Sequence, residues 1–188
     1  MATKDEILTR LLKEENYVSG EELARQTGVS RAAVWKAIKS LKKSGYDIEG
    51  VTKCGYKLKQ NNSLVTAEGV KALLEKDIEV THFDTVDSTN TYCKRLLADG
   101  KQGEFLVTAA KQTAGRGRQG KSFYSPSETG IYFSLVIRPD TSLQNAVTAT
   151  TAAAVAVCKA IEKTTDLKPK IKWVNDVYLN GKKVCGIL

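Results

Sequence analysis

The pattern of apolar and polar positions divides the chain into a helical N-terminal part and a part in which strands and helices alternate. A helical stripe of apolar side chains follows Thr3, and Ser19 with Glu22 predicts a capping box that opens a second helix. A third helix is predicted from Ser30 to about Lys43, after the turn at 27–29. This spacing is typical of a helix-turn-helix.

Two short strands are predicted after the third helix, over 46–48 and 56–58, and together they form a wing. Residues 59–63 are polar and unpatterned, which favours a linker. The sequence therefore predicts a winged helix-turn-helix domain with its linker over 1–63 and a second domain over 64–188.

The second part predicts a mixed α/β domain, so the whole chain is expected to be α+β. Asn180-Gly181 is the strongest hairpin signal in it. The predicted helices cover 67–75, 89–97 and 143–163, and the predicted strands cover 80–83, 105–110, 130–137, 171–173, 177–179 and 183–188.

The third helix is basic and contains no acidic residue. In a helix-turn-helix the N-terminal residues of this helix face phosphates and base edges in the major groove. The alternative is a lysine-rich surface helix that is only solvated. The expected DNA-binding residues are Ser30, Arg31, Trp35, Lys36 and Lys39.

Charge and composition narrow the possible functions. The net charge of +8 favours polyanionic partners. The four cysteines are widely separated and form no C-x-x-C pair, which favours reduced thiols and a cytoplasmic protein. No apolar run reaches membrane-spanning length, so no membrane partner is expected. Because His82 is the only histidine, a catalytic triad and a histidine-rich zinc site are excluded, and we expect no metal held by protein side chains alone.

A glycine-rich cationic loop, residues 115–121, is the most distinctive chemical segment. Its three glycines let backbone amides approach an anion, and its two arginines and one lysine supply positive charge. The loop also matches two phosphate-binding motifs, but both require a following helix, which Pro126 and Gly130 disfavour. The other alternative is a solvated basic turn without a ligand.

A second segment, Lys172-Trp173-Val174-Asn175-Asp176, places an amide, a carboxylate and a lysine around a tryptophan just before the predicted hairpin. A strand with a purely structural role has no reason to contain this combination of side chains. Together with the cationic loop it indicates an enzyme that activates an acid with a nucleotide.

The chain resembles the bifunctional biotin protein ligases that also repress the biotin operon. The resemblance covers the winged helix, Asp87-Ser88-Thr89-Asn90, residues 112–121, the strand with Tyr132, and residues 172–188. It implies a class II synthetase-like catalytic domain. That domain would form biotinyl-5′-adenylate from biotin and ATP and transfer biotin to a lysine of a biotin carboxyl carrier protein. It also implies dimerisation with bound adenylate and binding to biotin operator DNA.

The resemblance also implies roles for individual residues. Ser88 could instead be a simple helix cap, Tyr132 a core residue and Lys183 a solvent-facing strand lysine. Magnesium would be held mainly through nucleotide phosphates. The implied biotin-binding residues are Ser88, Thr89, Asn90, Gln112, Gly115, Arg116, Tyr132, Lys183 and Gly186; the nucleotide-binding ones are Arg118, Lys121, Lys172, Asn175 and Asp176; and the catalytic ones are Arg116, Arg118, Lys183 and Asp176.

Two positions depart from the family pattern, which often has arginine in place of Lys121 and proline in place of Val174. The sequence also ends at Leu188, inside an apparent strand. We therefore expect a truncated chain without the rest of the central sheet and without the C-terminal SH3-like barrel, and we do not expect complete ligase activity from these 188 residues alone. The alternative function is a repressor that senses biotin or its adenylate without catalysis.

Overall fold

The computed structural model describes residues 3–59, 65–138 and 146–188. The N-terminal part contains three helices followed by a two-stranded antiparallel wing, so the predicted winged helix-turn-helix is confirmed. The elements are α1 Thr3–Lys13, α2 Gly20–Thr27, α3 Arg31–Lys43, β1 Ile48–Val51 and β2 Gly55–Leu58.

Serine caps fix the starts of α2 and α3. The Ser19 hydroxyl accepts a hydrogen bond from the Glu22 amide at 3.0 Å, which confirms half of the predicted capping box. The other half is wrong, because the Glu22 carboxylate accepts hydrogen bonds from the Arg25 and Gln26 side chains instead. Gly28 ends α2 with a φ of 66°, a conformation that glycine adopts at little cost.

The apolar faces of α1, α2 and α3 meet in one core, and Val34, Ile38 and Leu41 are buried there as predicted. Tyr46 is also buried, but it precedes β1, so the first wing strand begins two residues later than predicted. Burial raises the pKa of the Tyr46 phenol, and its hydroxyl is hydrogen-bonded to the Thr66 hydroxyl.

The second part is mixed α/β, as predicted, with two three-stranded sheets in the described residues. In one sheet β3 pairs with β4 in parallel and β4 pairs with β5 antiparallel; the other is an antiparallel meander of β6, β7 and β8. The elements are α4 Ala67–Leu73, β3 Glu79–Phe83, α5 Thr89–Ala98, β4 Phe105–Ala109, β5 Tyr132–Val136, α6 Ala146–Thr164, β6 Lys170–Lys172, β7 Asp176–Leu179 and β8 Lys182–Gly186.

Turn chemistry sets several element ends. Asn180 and Gly181 have φ values of 49° and 77°, which confirms the predicted hairpin between β7 and β8. β5 begins later than predicted, because the Tyr132 hydroxyl donates a hydrogen bond to the Pro126 carbonyl and holds a turn before the strand. Trp173 lies after the end of β6 and is largely exposed. The predicted linker from residue 60 onward and the predicted helix start at 143 lie outside the described residues.

Helix α4 connects the two parts, because it packs against α1 on one side and against β3 on the other. The Lys4 amine lies 2.9 Å from the Glu68 carboxylate, and this hydrogen bond lowers the pKa of Glu68. Gly69 fits closely here, since a Cβ on it would lie 2.7 Å from the Tyr46 hydroxyl. In the described part of the chain, none of the helices combines the length and apolar character needed to cross a membrane.

Candidate functional site

The N-terminus of α5 is held by Ser88, whose hydroxyl accepts a hydrogen bond from the Thr91 amide at 3.4 Å. The residue is 2% exposed. Ser88 is therefore a helix cap, as one of the two interpretations of the sequence predicted. A cap uses the oxygen as an acceptor and leaves the hydroxyl hydrogen for another partner.

Asp87 and Arg95 stabilise the turn that presents Ser88. The Arg95 guanidinium donates two hydrogen bonds to the Asp87 carboxylate, at 2.6 and 3.0 Å. The same carboxylate accepts the Ser88 amide at 2.8 Å. The Arg95 hydrogen bonds, followed by the Ser88 amide, hold the pKa of Asp87 below its usual value. Arg95 was missed by sequence reasoning because the pair spans eight residues, outside the usual helical spacings.

A directed chain of side-chain hydrogen bonds joins β5, α5 and the segment before the cationic loop. Ser134 donates to the Thr89 hydroxyl at 2.9 Å, and Thr89 donates to the Gln112 carbonyl oxygen at 3.1 Å. The Gln112 amide then donates to Ser125 at 2.9 Å, and Ser125 donates to the Phe123 carbonyl at 3.0 Å. Thr89 and Ser125 are buried, so the chain fixes the orientation of the Gln112 amide.

We expect Gln112 to be a ligand contact and Ser134→Ala to weaken binding of that ligand. The change removes the donor that orients the Thr89 hydroxyl, a loss of about 1 kcal/mol. Ligand titration should show a several-fold higher dissociation constant with a nearly unchanged unfolding midpoint. Ser134→Thr keeps a hydroxyl and is the matched control. Equal affinity of the unaltered protein and both variants would show that the chain does not orient the site.

The cationic loop is a small hairpin. The Gly117 amide donates to the Lys121 carbonyl at 2.7 Å, and the Phe123 amide donates to the Gly115 carbonyl at 2.8 Å. A 3-10 turn covers Arg118–Gly120, and Gln119 has a φ of 56°. No helix follows before β5, which confirms that the loop is not a P-loop or a dinucleotide-binding turn.

Gly115 lies at the tightest contact of this hairpin. A Cβ on it would be 2.4 Å from the Phe123 carbonyl oxygen and 2.6 Å from the Ser125 hydroxyl. It would also approach the Gln112 amide nitrogen to 3.2 Å. Glycine is therefore required here for space, because the loop packs directly on the hydrogen-bonded chain.

Arg118 joins the two distinctive sequence segments. Its guanidinium donates to the Asn175 side-chain oxygen at 3.1 Å. The Asn175 amide donates to the Ile187 carbonyl at 2.8 Å, and the Ile187 backbone amide donates to the Asn175 carbonyl at 2.9 Å. The loop therefore contacts the turn between β6 and β7, which in turn is tied to the end of β8.

Asp176 and Lys183 form an ion pair on the neighbouring strands β7 and β8, with 2.7 Å between Oδ1 and Nζ. Among the described residues, Asp176 Oδ1 is buried without an aligned hydrogen-bond donor, so the contact is a charge pair rather than a directed hydrogen bond. A Cβ on Gly186 would lie 3.0 Å from the Lys183 amine and 3.2 Å from the Phe123 ring. Phe123 thus lies between this pair and the Gly115 contact.

The remaining residues expected from the sequence lie around the loop and the Asp176–Lys183 pair. Asn90 and Arg116 line a cavity of about 440 Å³ beside the loop. Tyr132 is half-buried, and its hydroxyl donates a hydrogen bond to the Pro126 carbonyl. The Lys172 amine lies 5.5 Å from the centre of the Tyr178 ring. The Lys121 side chain is exposed. Neither lysine forms an ion pair with Asp176 among the described residues.

A separate surface is formed by α3 and the wing. Arg31, Trp35, Lys36 and Lys39 are exposed, and the Lys39 amine lies 5.1 Å from the centre of the Trp35 ring. Ser30 caps α3 by accepting the Ala33 amide at 3.2 Å. A groove of about 730 Å³ runs between the start of α3 and the wing.

The described residues contain no group of three or more His, Cys, Asp or Glu side chains that could hold a metal ion. Asp176 directly follows Asn175, the residue that Arg118 contacts, and its buried Oδ1 lacks an aligned hydrogen-bond donor. One such carboxylate fits a magnesium ion that takes most of its ligands from phosphates and water.

This combination defines a helix-turn-helix protein joined to an α/β domain, in which a cationic loop contacts a carboxylate-bearing turn. Residues 82–188 match the biotin/lipoate A/B protein ligase family, and residues 3–57 match a helix-turn-helix domain. The chain belongs to the biotin/lipoate A/B protein ligase family. The resemblance inferred from the sequence is thus confirmed.

Two curated relatives match nearly the whole of this chain. The chain is 37% identical over 175 residues to the bifunctional ligase/repressor BirA of Bacillus subtilis, covering 92% of this chain and 54% of the relative. It is 32% identical over 181 residues to the protein of the same name from Escherichia coli, covering 96% and 56%. The chain therefore spans about half the length of these curated relatives.

Solved structures show the same fold. The biotin protein ligase from Aquifex aeolicus in complex with biotin and ATP is 33% identical, with a TM-score of 0.51 over 58% of this chain and 45% of that one. The biotin acetyl coenzyme A carboxylase synthetase from Helicobacter pylori with bound biotinylated ATP is 25% identical. Its TM-score is 0.51 over 60% of this chain and 54% of that one.

Proposed function

We propose that the protein is a biotin protein ligase and a biotin-responsive repressor. In this proposal it forms biotinyl-5′-adenylate from biotin and ATP and transfers biotin to a lysine of a biotin carboxyl carrier protein. The contact between Arg118 and Asn175 carries the proposal, because it joins the cationic loop to the carboxylate-bearing turn 57 residues away. The two known relatives and the two ligand-bound structures support the assignment of substrates.

Biotin would bind between the N-terminus of α5 and the loop. Gln112 keeps one amide hydrogen after its bond to Ser125, and Ser88 keeps its hydroxyl hydrogen, so both can donate to a polar ring oxygen. Gly115 is also a biotin contact in this proposal, and its lack of a side chain lets the loop pack against Phe123 and Ser125. The further biotin contacts of the proposal are Thr89, Asn90, Arg116, Tyr132, Lys183 and Gly186.

In the first step a biotin carboxylate oxygen attacks the α-phosphorus of ATP, and the bond to the β-phosphoryl oxygen breaks, releasing pyrophosphate. Negative charge grows on the phosphate oxygens in this step. Arg116, Arg118 and Lys183 would stabilise that charge in a site whose cations are already in place. Lys121, Lys172 and Asn175 complete the proposed nucleotide contacts.

Magnesium fits the site as a cofactor. Asp176 would hold it through its buried oxygen, with phosphate oxygens and water as the remaining ligands. When bound, the ion neutralises phosphate charge. Asp176 also keeps the Lys183 amine near the site through their ion pair.

In the second step a lysine amine of the carrier protein attacks the acyl carbonyl, and AMP leaves. The product is an amide between biotin and that lysine, and no residue of this chain acts as a nucleophile in either step. As a repressor, the protein would act in the cytoplasm as a homodimer that forms when the adenylate is bound, with the groove between α3 and the wing facing operator DNA.

We expect Arg31→Ala and Lys36→Ala to weaken DNA binding, because each removes an exposed cation from α3. Each loss should lower the slope of log K against log salt by about 1. Fluorescence anisotropy with operator DNA at several salt concentrations measures this slope. Lys13→Ala removes an equal charge from the exposed last residue of α1, outside α3 and the wing, and is the control; an equal loss in that variant would refute the assigned surface.

Adenylate formation tests the catalytic half of the proposal. The protein expressed at the full length of its gene is mixed with biotin, ATP labelled at the α-phosphate, and magnesium. We expect biotinyl-adenylate and pyrophosphate in equal amounts. Biotin binding without either product would instead support the repressor that senses biotin or its adenylate without catalysis.

A further inference from the structure

An exposed tryptophan lies in the middle of the basic face of α3. Within α3, all of which the structure describes, Trp35 is the only aromatic side chain, and it is 54% exposed. Arg31 lies one helical turn before it and Lys39 one turn after it, on the same face. This face therefore combines positive charge, which suits an anion, with a large apolar ring that remains open to solvent.

The groove between α3 and the wing extends the apolar area around this ring. Ala32 and Val51 line the groove together with Trp35, and both are exposed. Lys53, in the turn between β1 and β2, and Glu21, on α2, also line it. A surface that bound only the phosphate backbone would need cations and hydrogen-bond donors, and would gain nothing from these apolar side chains. The groove therefore indicates a ligand that has an apolar group as well as phosphates.

DNA offers such a group at one place on the base edges of its major groove. When a recognition helix lies in that groove, its exposed side chains face the edges of the base pairs. Adenine, guanine and cytosine present hydrogen-bond donors or acceptors there, whereas thymine also presents its C5-methyl group. The indole ring of Trp35 is apolar apart from one N–H donor, so the thymine methyl group is the base feature that matches it best.

We infer that Trp35 determines sequence specificity by packing against the C5-methyl group of a thymine in the bound DNA. This inference rests on the proposed DNA binding and adds to it the base that one side chain recognises. The Lys39 amine, 5.1 Å from the ring centre, restricts the orientation of the indole. Arg31 and Lys36 supply the charge that attracts DNA of any sequence.

Replacement of thymine by deoxyuridine tests this contact, because it removes only the methyl group. Duplexes are first selected from a random-sequence pool by the protein expressed at the full length of its gene, with biotin, ATP and magnesium present. Each thymine of the selected site is then replaced in turn, and fluorescence anisotropy measures the dissociation constants. At one or more thymine positions we expect about fourfold weaker binding, the effect of one buried methyl group. The same replacement should leave binding by Trp35→Ala nearly unchanged, since the methyl group has lost its partner.

Two further variants are controls. Lys36→Ala should bind every duplex more weakly but keep the effect of the methyl group, since it removes only a charge. Trp35→Phe keeps an aromatic ring and should retain an effect of about twofold.

Three outcomes overturn the inference: no methyl effect in the unaltered protein, an effect that persists in Trp35→Ala, or an effect that Lys36→Ala abolishes equally. Sequence-selective binding without a methyl effect would overturn the inference alone and leave the proposed repressor function standing. Failure of the unaltered protein to select any sequence would overturn both.

Discussion

Lys183→Ala is expected to lower the rate of biotinyl-adenylate formation by about 100- to 1,000-fold. The lysine supplies a cation beside the loop, and removal of one aimed charge or donor from a preorganised site has effects of about this size. The change also leaves the buried oxygen of Asp176 without its positive neighbour, 2.7 Å away in the structure. Single-turnover formation of labelled adenylate measures the effect.

Lys182→Ala is the matched control, since Lys182 precedes Lys183 on β8 and is exposed. Neighbouring residues of a strand point to opposite faces, so Lys182 is directed away from the Asp176 side chain. Its variant should react at the rate of the unaltered protein. If Lys183→Ala keeps that rate while remaining folded, the lysine has no role in adenylation.

Gly115→Ala is expected to abolish measurable biotin binding and to lower the free energy of unfolding by about 1–3 kcal/mol. The added methyl group would meet the Phe123 carbonyl at 2.4 Å and the Ser125 hydroxyl at 2.6 Å. Both are parts of the chain of hydrogen bonds that orients Gln112, so the loop or the chain must move. Urea unfolding and biotin titration measure the two effects.

Gly20→Ala is the control for this change. A Cβ on Gly20 meets only the Tyr56 ring at 3.5 Å, an ordinary contact, and the residue begins α2. We expect unchanged biotin binding and equal or slightly higher stability, because alanine favours helices over glycine. Normal biotin affinity in Gly115→Ala would mean that the loop does not need glycine at this position for its function.

Local patterns in the sequence predicted most elements of the fold. The Ser19 and Ser30 caps, the helical stripes and the Asn180-Gly181 turn each depend on residues close in the chain, and all were confirmed. The errors lie at element ends. Tyr46 was assigned to a strand because it is apolar and near the wing, whereas its hydroxyl reaches Thr66, a contact 20 residues away that no local pattern contains.

The site was predicted less completely than the fold. The loop and the turn at Asn175 were found by their residue types, and the structure brings Arg118 and Asn175 together. The supporting serines were missed, because Ser134 and Thr89 are 45 residues apart and meet only when β5 pairs with β4 beside α5. Serine is common in sequences, so neither Ser125 nor Ser134 carries a signal of its own.

The central claim is that the cationic loop and the turn before β7 form one nucleotide-activating site. A double-mutant cycle of Arg118→Ala and Asn175→Ala, measured by adenylate formation, tests it most directly. Because the two side chains are in direct contact at 3.1 Å, we expect the double variant to lose less than the sum of the single losses, with a coupling of at least about 0.5 kcal/mol. Fully additive losses would contradict a shared site, and unchanged activity in all three variants would contradict the site itself.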